Sequence, residues 1–395
     1  MKRKLLCLLL ACFATLLHAQ SQRNYTVVIS LDGCRWDYPQ TFDTPFFDWM
    51  ASQGVESGLL PSFPSKTFPN HYALATGLYP DHHGIIANKF LCREDGSVFS
   101  LSNPDTKFNP KFYGGEPIWI TAQKQGLHTA VFYWPGSDVK VKGMYPDKYY
   151  LYDQKPQLTF DERVNGIIEE LKKPEENRPQ LIMAYFEQPD YNGHLYGPLS
   201  KLTRSAAMSM DSLMQRLYSG IQQLPIAGKV NFIVLSDHGM TLTEPSRQIP
   251  VKSCLKKEWL VQIEGDVPAN IYVQPDCEDS VYNALKETDH VKVWKRKDIP
   301  AYLHYGSNEN VGDIVVLPDL GWLFTDEKVT TGGVHGYDHE YSDMQAMFRA
   351  VGPDFKHIKH PHLRNVNVYP LLCHLLGIAQ SKNDGCLDEI RDILK

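Results

Sequence analysis

The 395-residue chain has no long basic run, no Cys-x-x-Cys pair, no internal repeat and no low-complexity tract. Each absence removes a class of function. Lys and Arg number 40 against 46 Asp and Glu, for a formal charge of -6. Without a basic stripe nothing holds duplex nucleic acid electrostatically, so that partner is not expected. A small phosphate-bearing substrate stays compatible, because bound metal ions supply positive charge locally. Lacking Cys-x-x-Cys spacing, the cysteines point to neither a structural zinc nor a dithiol redox centre. Beyond the first residues no apolar run approaches the roughly 20 residues that cross a bilayer. At 43% hydrophobic content the chain can bury a large core, as two domains or as one large α/β domain.

The N-terminus reads Met1-Lys2-Arg3-Lys4, then an apolar stretch from Leu5 to Leu17, then Leu17-His18-Ala19. A basic start, a short apolar run and a small residue at the cut are the marks of a secretory signal peptide. The expectation is a leader over residues 1–19 and an exported chain, periplasmic or secreted, with no transmembrane segment. Lipid attachment at Cys12, after Leu10-Ala11, is the alternative. Export would permit disulfides among Cys34, Cys92, Cys254, Cys277, Cys373 and Cys386. Cys254 with Cys277, and Cys373 with Cys386, are the near pairs, although spacing alone does not fix connectivity.

What the chain does have is a set of nearly continuous apolar runs at 26–31, 129–134, 181–187 and 232–236. Strands buried on both faces read this way. Helical patterns lie between them, at Asp161 to Leu171 and Ser205 to Gln222. The alternation predicts an α/β fold with a doubly wound, mostly parallel central sheet flanked by helices. From about 245 to 330 the character changes. Short strand candidates (Trp259 to Ile263, Asn270 to Val273, Val291 to Trp294, Asp313 to Val316) surround a helix near Ser280 to Glu287. The expectation is a small α+β lobe inserted into a single catalytic domain over 20–395. Gln345 to Val351 then rejoins the main sheet, and a last helix covers Val366 to Leu376.

Three of the apolar runs end at an aspartate: TVVISLD at Asp32, LIMAYFEQPD at Asp190 and FIVLSD at Asp237. His194 follows Asp190 by four residues, His238 follows Asp237 directly, and His335 sits in the turn TGGVHGYD. Open α/β sheets bind ligands just beyond the carboxyl ends of their strands. Any one of these residues has an ordinary explanation: an aspartate at a strand end is usually a turn former or helix cap, and most of the 15 histidines must be surface or core residues. Together, three aspartates and three histidines on one sheet edge have the makings of a two-metal hydrolase site. Mixed Asp and His ligands without thiolate suit zinc in a catalytic centre.

The segment Pro61-Ser62-Phe63-Pro64-Ser65-Lys66-Thr67-Phe68-Pro69-Asn70-His71 leads into a helix-like run, Tyr72 to Thr76. Pro69 suits a first helical turn. Thr67 would then stand at a helix N-terminus, where backbone N–H groups favour an anion. Taken alone, Thr67 simply starts a helix. The segments VVISLDGCRWDY, PSFPSKTFPNHYALATGLYPDHHGI, YFEQPDYNGHLYGP, LSDHGM and GVHGYD, in that order over residues 26 to 380, resemble the nucleotide pyrophosphatase/phosphodiesterase family of the alkaline phosphatase superfamily.

That resemblance implies an alkaline-phosphatase-like fold and two Zn2+ ions, with Asp32, Asp237 and His238 holding one and Asp190, His194 and His335 the other. It makes Thr67 the nucleophile facing the first ion. Asn88, in GIIANKF, would bind phosphoryl oxygens as an oxyanion-hole donor, a role worth about 3 kcal/mol in a transition state. Phe68 and Tyr152 would sandwich a nucleobase. Phe68 could equally be a core residue, the usual fate of a phenylalanine. His71, His82 and His83 read as structural hydrogen-bonders, Lys66 as a solvated or supporting charge, and Trp134 and Trp322 as aromatics near the pocket with no assigned role.

The implied reaction is zinc-dependent hydrolysis of nucleotide pyrophosphates and phosphodiesters to nucleoside 5'-monophosphates, through a phospho-threonine, by a monomer. Two alternatives share the metal site: a phosphodiesterase acting on lipid or choline headgroups, and a phosphomonoesterase. A dead fold used only for binding fits poorly, because all six ligands and Thr67 are present.

Overall fold

The computed structural model describes residues 24–395. The expected leader and Cys12 lie outside the described residues. At the centre is an eight-stranded sheet in the order Ile358–Arg364, Val55–Leu60, Ala346–Val351, Val230–Leu235, Tyr25–Leu31, Leu181–Phe186, Thr129–Phe132 and Lys148–Tyr149. Ala346–Val351 alone runs antiparallel to its neighbours; every other pairing is parallel.

The three central strands are buried along their whole length, which is why they read as unbroken apolar runs. Their side chains alternate between two cores. Val27, Ile29 and Leu31 face the helices Pro45–Gln53, Phe160–Lys172 and Lys201–Gln222. Val28, Met183, Ile233 and Leu235 face Thr67–Thr76, Ile118–Lys124 and Val368–Leu376. The fold is thus the doubly wound α/β sheet that the alternation predicts.

Register is what positions the site. Leu31 pairs with Phe186, and Ser30 with Leu235. The three chains therefore leave the sheet side by side at the same level. Asp190 is drawn back against Asp32, its N–H donating to the Asp32 carbonyl at 2.9 Å. Gly33 permits this approach: it has φ +64°, and a Cβ there would come 2.8 Å from Asp190 Cβ.

Between His238 and His335 the chain forms a four-stranded antiparallel sheet, in the order Leu260–Glu264, Ala269–Val273, Ile314–Pro318 and Val291–Lys295. The helix Glu278–Leu285 packs on it through Val281 and Leu285.

Three expectations change. The second long helix starts at Lys201 rather than Ser205, because Ser200 caps it by accepting the Thr203 N–H. The last helix is shorter than read, with a 3-10 turn over Asn365–Asn367 preceding Val368–Leu376. No disulfide forms: among the described residues Cys34, Cys92, Cys254, Cys277, Cys373 and Cys386 are all free. Cys373 points into the core while Cys386 is exposed, so nearness in sequence does not bring their sulfurs together. Cys254 packs at the edge of the small sheet's core, and Cys277 stands just before the helix Glu278–Leu285.

Candidate active site

Thr67 opens the helix Thr67–Thr76, with Lys66 as its extended N-cap. Its hydroxyl lies 3.1 Å from His238 Nε2. Asp190 likewise opens the helix Asp190–Tyr196, and His194, one turn on, brings Nε2 within 3.4 Å of Asp190 Oδ2. His335 arrives from the strand Gly332–Val334, which packs beside that helix.

The three histidines share one feature. His194 Nδ1 donates to the Gly333 carbonyl at 2.8 Å, His335 Nδ1 to the Ser65 carbonyl at 2.7 Å, and His238 Nδ1 to the Gly239 carbonyl at 2.8 Å. A backbone acceptor at Nδ1 fixes the proton there and leaves Nε2 as a lone pair. Those Nε2 atoms converge: His194 and His335 are 3.2 Å apart, and His238 lies 3.4 Å from Asp32 Oδ1 and 3.1 Å from Asp237 Oδ2. His71 is arranged differently. Both of its nitrogens are used, Nε2 with Ser30 Oγ at 2.8 Å and Nδ1 with the Thr67 carbonyl at 2.9 Å, so it is structural as expected.

The donor set suits cations. Asp32 Oδ1, Asp190 Oδ1 and Asp237 Oδ2 are buried acceptors without a hydrogen-bond partner. Buried unpaired carboxylate oxygens are costly unless a cation compensates them. Burial, reinforced by Asp237 and Asp190, pushes the Asp32 carboxyl well above the ordinary range. Burial also raises Asp190. Asp237 goes the other way: burial opposes it, but the imidazoles of His238 and His71 beside it and the Gly33 N–H hold it low. Burial holds His238 and His335 below the ordinary imidazole value, in the neutral form that ligates metals.

Among the described residues, two three-ligand groups are compact enough to hold an ion: Asp190, His194 and His335; and Asp32, Asp190 and His238. The first is the group the resemblance implied. In the second, Asp190 takes the place expected for Asp237. Asp237 Oδ1 accepts from the Gly33 N–H at 3.3 Å, and its Oδ2 lies between His71 Nδ1 at 3.3 Å and His238 Nε2 at 3.1 Å.

A cavity of 290 Å³ opens beside these groups, lined by Asp32, Thr67, Phe68, Asn88, Tyr152 and Asp190 among others. All three expected substrate-binding residues are therefore on its wall. Asn88 Oδ1 accepts the Phe68 N–H at 3.2 Å, leaving the Asn88 amide hydrogens for an oxyanion. Phe68 is only 9% exposed and also packs toward Phe99.

Several wall residues escaped the sequence reading. Tyr185 donates to Asp32 Oδ2 at 2.5 Å and fixes that carboxylate. A tyrosine inside the buried run LIMAYF needs a hydroxyl partner, and that was the available signal. Lys107 and Asp153, paired at 2.8 Å, and the buried Asp138 carried none. Trp134 lines the cavity and donates to the His71 carbonyl at 3.0 Å. Trp322 does not line it; its ring stacks on His290 at 3.8 Å.

Residues 26–338 match the family model described as type I phosphodiesterase / nucleotide pyrophosphatase. Human ectonucleotide pyrophosphatase/phosphodiesterase family member 1 is 34% identical over 94% of this chain and 42% of its own length. The venom phosphodiesterase CdcPDE of Crotalus durissus collilineatus is 35% identical over 97% of this chain and 48% of its own. The chain thus spans a little under half the length of these curated relatives. Among solved structures, murine ectonucleotide pyrophosphatase/phosphodiesterase 5, an inactive threonine-to-alanine variant in complex with AMP, superposes with a TM-score of 0.89 at 34% identity. That match covers 94% of this chain and 100% of the murine one. Sheet, site and sequence agree, and the chain belongs to the type I phosphodiesterase / nucleotide pyrophosphatase family.

Proposed function

We propose that this protein hydrolyses nucleotide pyrophosphates and phosphodiesters to nucleoside 5'-monophosphates, using Thr67 as nucleophile and two Zn2+ ions. The observation that carries the reading is the set of three histidines with Nδ1 held by backbone carbonyls and three unpartnered buried carboxylate oxygens, with the Thr67 hydroxyl beside His238. In support, the family relatives are named phosphodiesterases and pyrophosphatases, and the murine neighbour bound to AMP is the inactive threonine-to-alanine form.

Asp190, His194 and His335 would hold one ion; Asp32 and His238 the other, completed by Asp237 or by a shared Asp190. When bound, such ions lower the pKa of a coordinated hydroxyl and offset charge on the phosphoryl group. The protein's own parts act around them. Thr67, presented at a helix N-terminus, is aimed at phosphorus from a fixed backbone position. The Asn88 amide donates to a phosphoryl oxygen as charge builds there. Phe68 and Tyr152 hold the base, and Tyr185 keeps Asp32 in one orientation. The phosphorylated Thr67 is then cleared by water.

Residues 20–395 are read as one catalytic unit carrying the small antiparallel sheet as an insertion. It acts as a monomer, exported under the direction of the leader.

Relative rates on a nitrophenyl nucleotide diester, nitrophenyl phosphate and nitrophenyl phosphocholine test the reading. The diester should be fastest. A protein that hydrolysed phosphocholine or monoester faster, or no nucleotide diester with zinc present, would defeat it.

A further inference from the structure

Lys66 immediately precedes Thr67, and its neighbours are clasped by the His335 loop. The Gly336 N–H donates to Ser65 Oγ at 3.0 Å, and Ser65 Oγ donates to the Tyr337 carbonyl at 2.8 Å. The Lys66 side chain consequently crosses over Gly336, where a Cβ would come 2.5 Å from its Cε and 3.1 Å from its Nζ. A lysine only 18% exposed thus holds its ammonium beside the His335 loop, with a loose partner, Asp266 Oδ1, 3.6 Å away on a half-exposed side chain. Lys107, on the cavity wall, is by contrast committed to Asp153 at 2.8 Å.

We propose that Lys66 neutralises charge on the group departing from phosphorus, and so fits the site to substrates whose leaving group is itself a phosphate. This rests on the Thr67 phosphodiesterase reading above. In the step concerned, the bond from Thr67 Oγ1 to phosphorus forms as the bond from phosphorus to the leaving oxygen breaks. The electron pair departs on that oxygen, and the hydroxyl proton is released to solvent. Water then displaces Thr67 Oγ1, restoring its proton. A departing pyrophosphate brings several negative charges toward three carboxylates, and a cation with a weakly held counter-ion offsets that repulsion. A nitrophenolate, whose charge spreads into its ring, has much less need of it.

The test compares wild type, Lys66→Met and Lys66→Arg on ATP and on the nitrophenyl ester of TMP. Lys66→Met should lower kcat/KM for ATP by about tenfold or more while changing the ester by less than about threefold, and Lys66→Arg should recover most of the loss. In a Thr67→Ala background, the ratio of ATP to AMP affinity should fall when Lys66→Met is added. Equal losses on both substrates, no loss on either, or an unchanged affinity ratio would each overturn the proposal. A wild-type protein inert toward both compounds would overturn the phosphodiesterase reading itself, and this assignment with it.

Discussion

The Nε2 atoms of His194 and His335 lie 3.2 Å apart, and each ring has its Nδ1 proton committed to a backbone carbonyl. With both rings neutral, two lone pairs face one another with no proton between them. That arrangement is repulsive alone and attractive only around a cation. It sits 3.8 Å from a third acceptor, Asp190 Oδ1, which has no hydrogen-bond partner.

Removing the metal should therefore cost stability as well as activity. Dialysis against a strong chelator should abolish turnover and lower Tm, with both recovered on adding zinc. At ligand a hundredfold above its Kd, the linkage is worth about 2.7 kcal/mol per site. A Tm indifferent to chelation would show that these acceptors satisfy one another without an ion.

Thr67→Ala should reduce turnover by roughly a thousandfold or more, as loss of a nucleophile does. Metal content should be unchanged, because the six Asp and His ligands remain. Rapid-quench kinetics and elemental analysis on the same preparation separate the two effects. Normal rates would remove Thr67 from its role.

Tyr185→Phe deletes only the hydroxyl that donates to Asp32 Oδ2. Partners that orient a metal ligand typically contribute about 10- to 100-fold in metal affinity. Competition with a chromogenic chelator should show a loss in that range, with the fold intact by circular dichroism. An unchanged affinity would mean that the backbone alone orients Asp32.

Phe68→Ala and Tyr152→Ala should raise KM for nucleotide diesters while leaving kcat for a base-free nitrophenyl diester nearly unchanged. An aromatic pair is worth about 0.5–1.5 kcal/mol beyond its buried area, so each change should be roughly 2- to 10-fold. Equal effects with and without a base would assign these rings to packing instead.

His83 offers a pH test remote from the metal ligands. Its Nε2 donates to the Pro69 carbonyl and its Nδ1 accepts the Ile85 N–H, both at 3.1 Å, so the folded protein needs the neutral ring. Burial pushes it down to about 3. An unfolded histidine titrates near 6.5, so below that pH the unfolded chain binds a proton the folded one refuses. The contribution is complete above about 6.5 and is lost as pH falls toward the folded value, at up to about 1.4 kcal/mol per unit. Urea unfolding at successive pH values should show a shallower acid slope for His83→Gln, since glutamine can also donate and accept. Identical slopes would contradict this.

How much of the molecule could be read in advance follows from where the physical signal was local. Tyr25–Leu31, Leu181–Phe186 and Val230–Leu235 are buried on both faces, so composition alone identified them, and each carries an aspartate out of the sheet. Val55–Leu60 and Ile358–Arg364 were not legible. The first contains Glu56, Ser57 and Gly58, and the second is an exposed edge with a break in register around Pro361. Metal-type ligands were legible as residues; the contacts that hold Asp237 in place, from His71 and Gly33, are made only by the folded chain. Lys107 with Asp153, and Tyr185 with Asp32, are likewise tertiary pairs between distant segments.

The most direct test is a crystal of the purified protein measured at the zinc absorption edge. The account predicts two anomalous peaks, one among Asp190, His194 and His335 and one at Asp32 and His238 within reach of the Thr67 hydroxyl. An anomalous map without peaks there, with these side chains bonded only to one another, would contradict it.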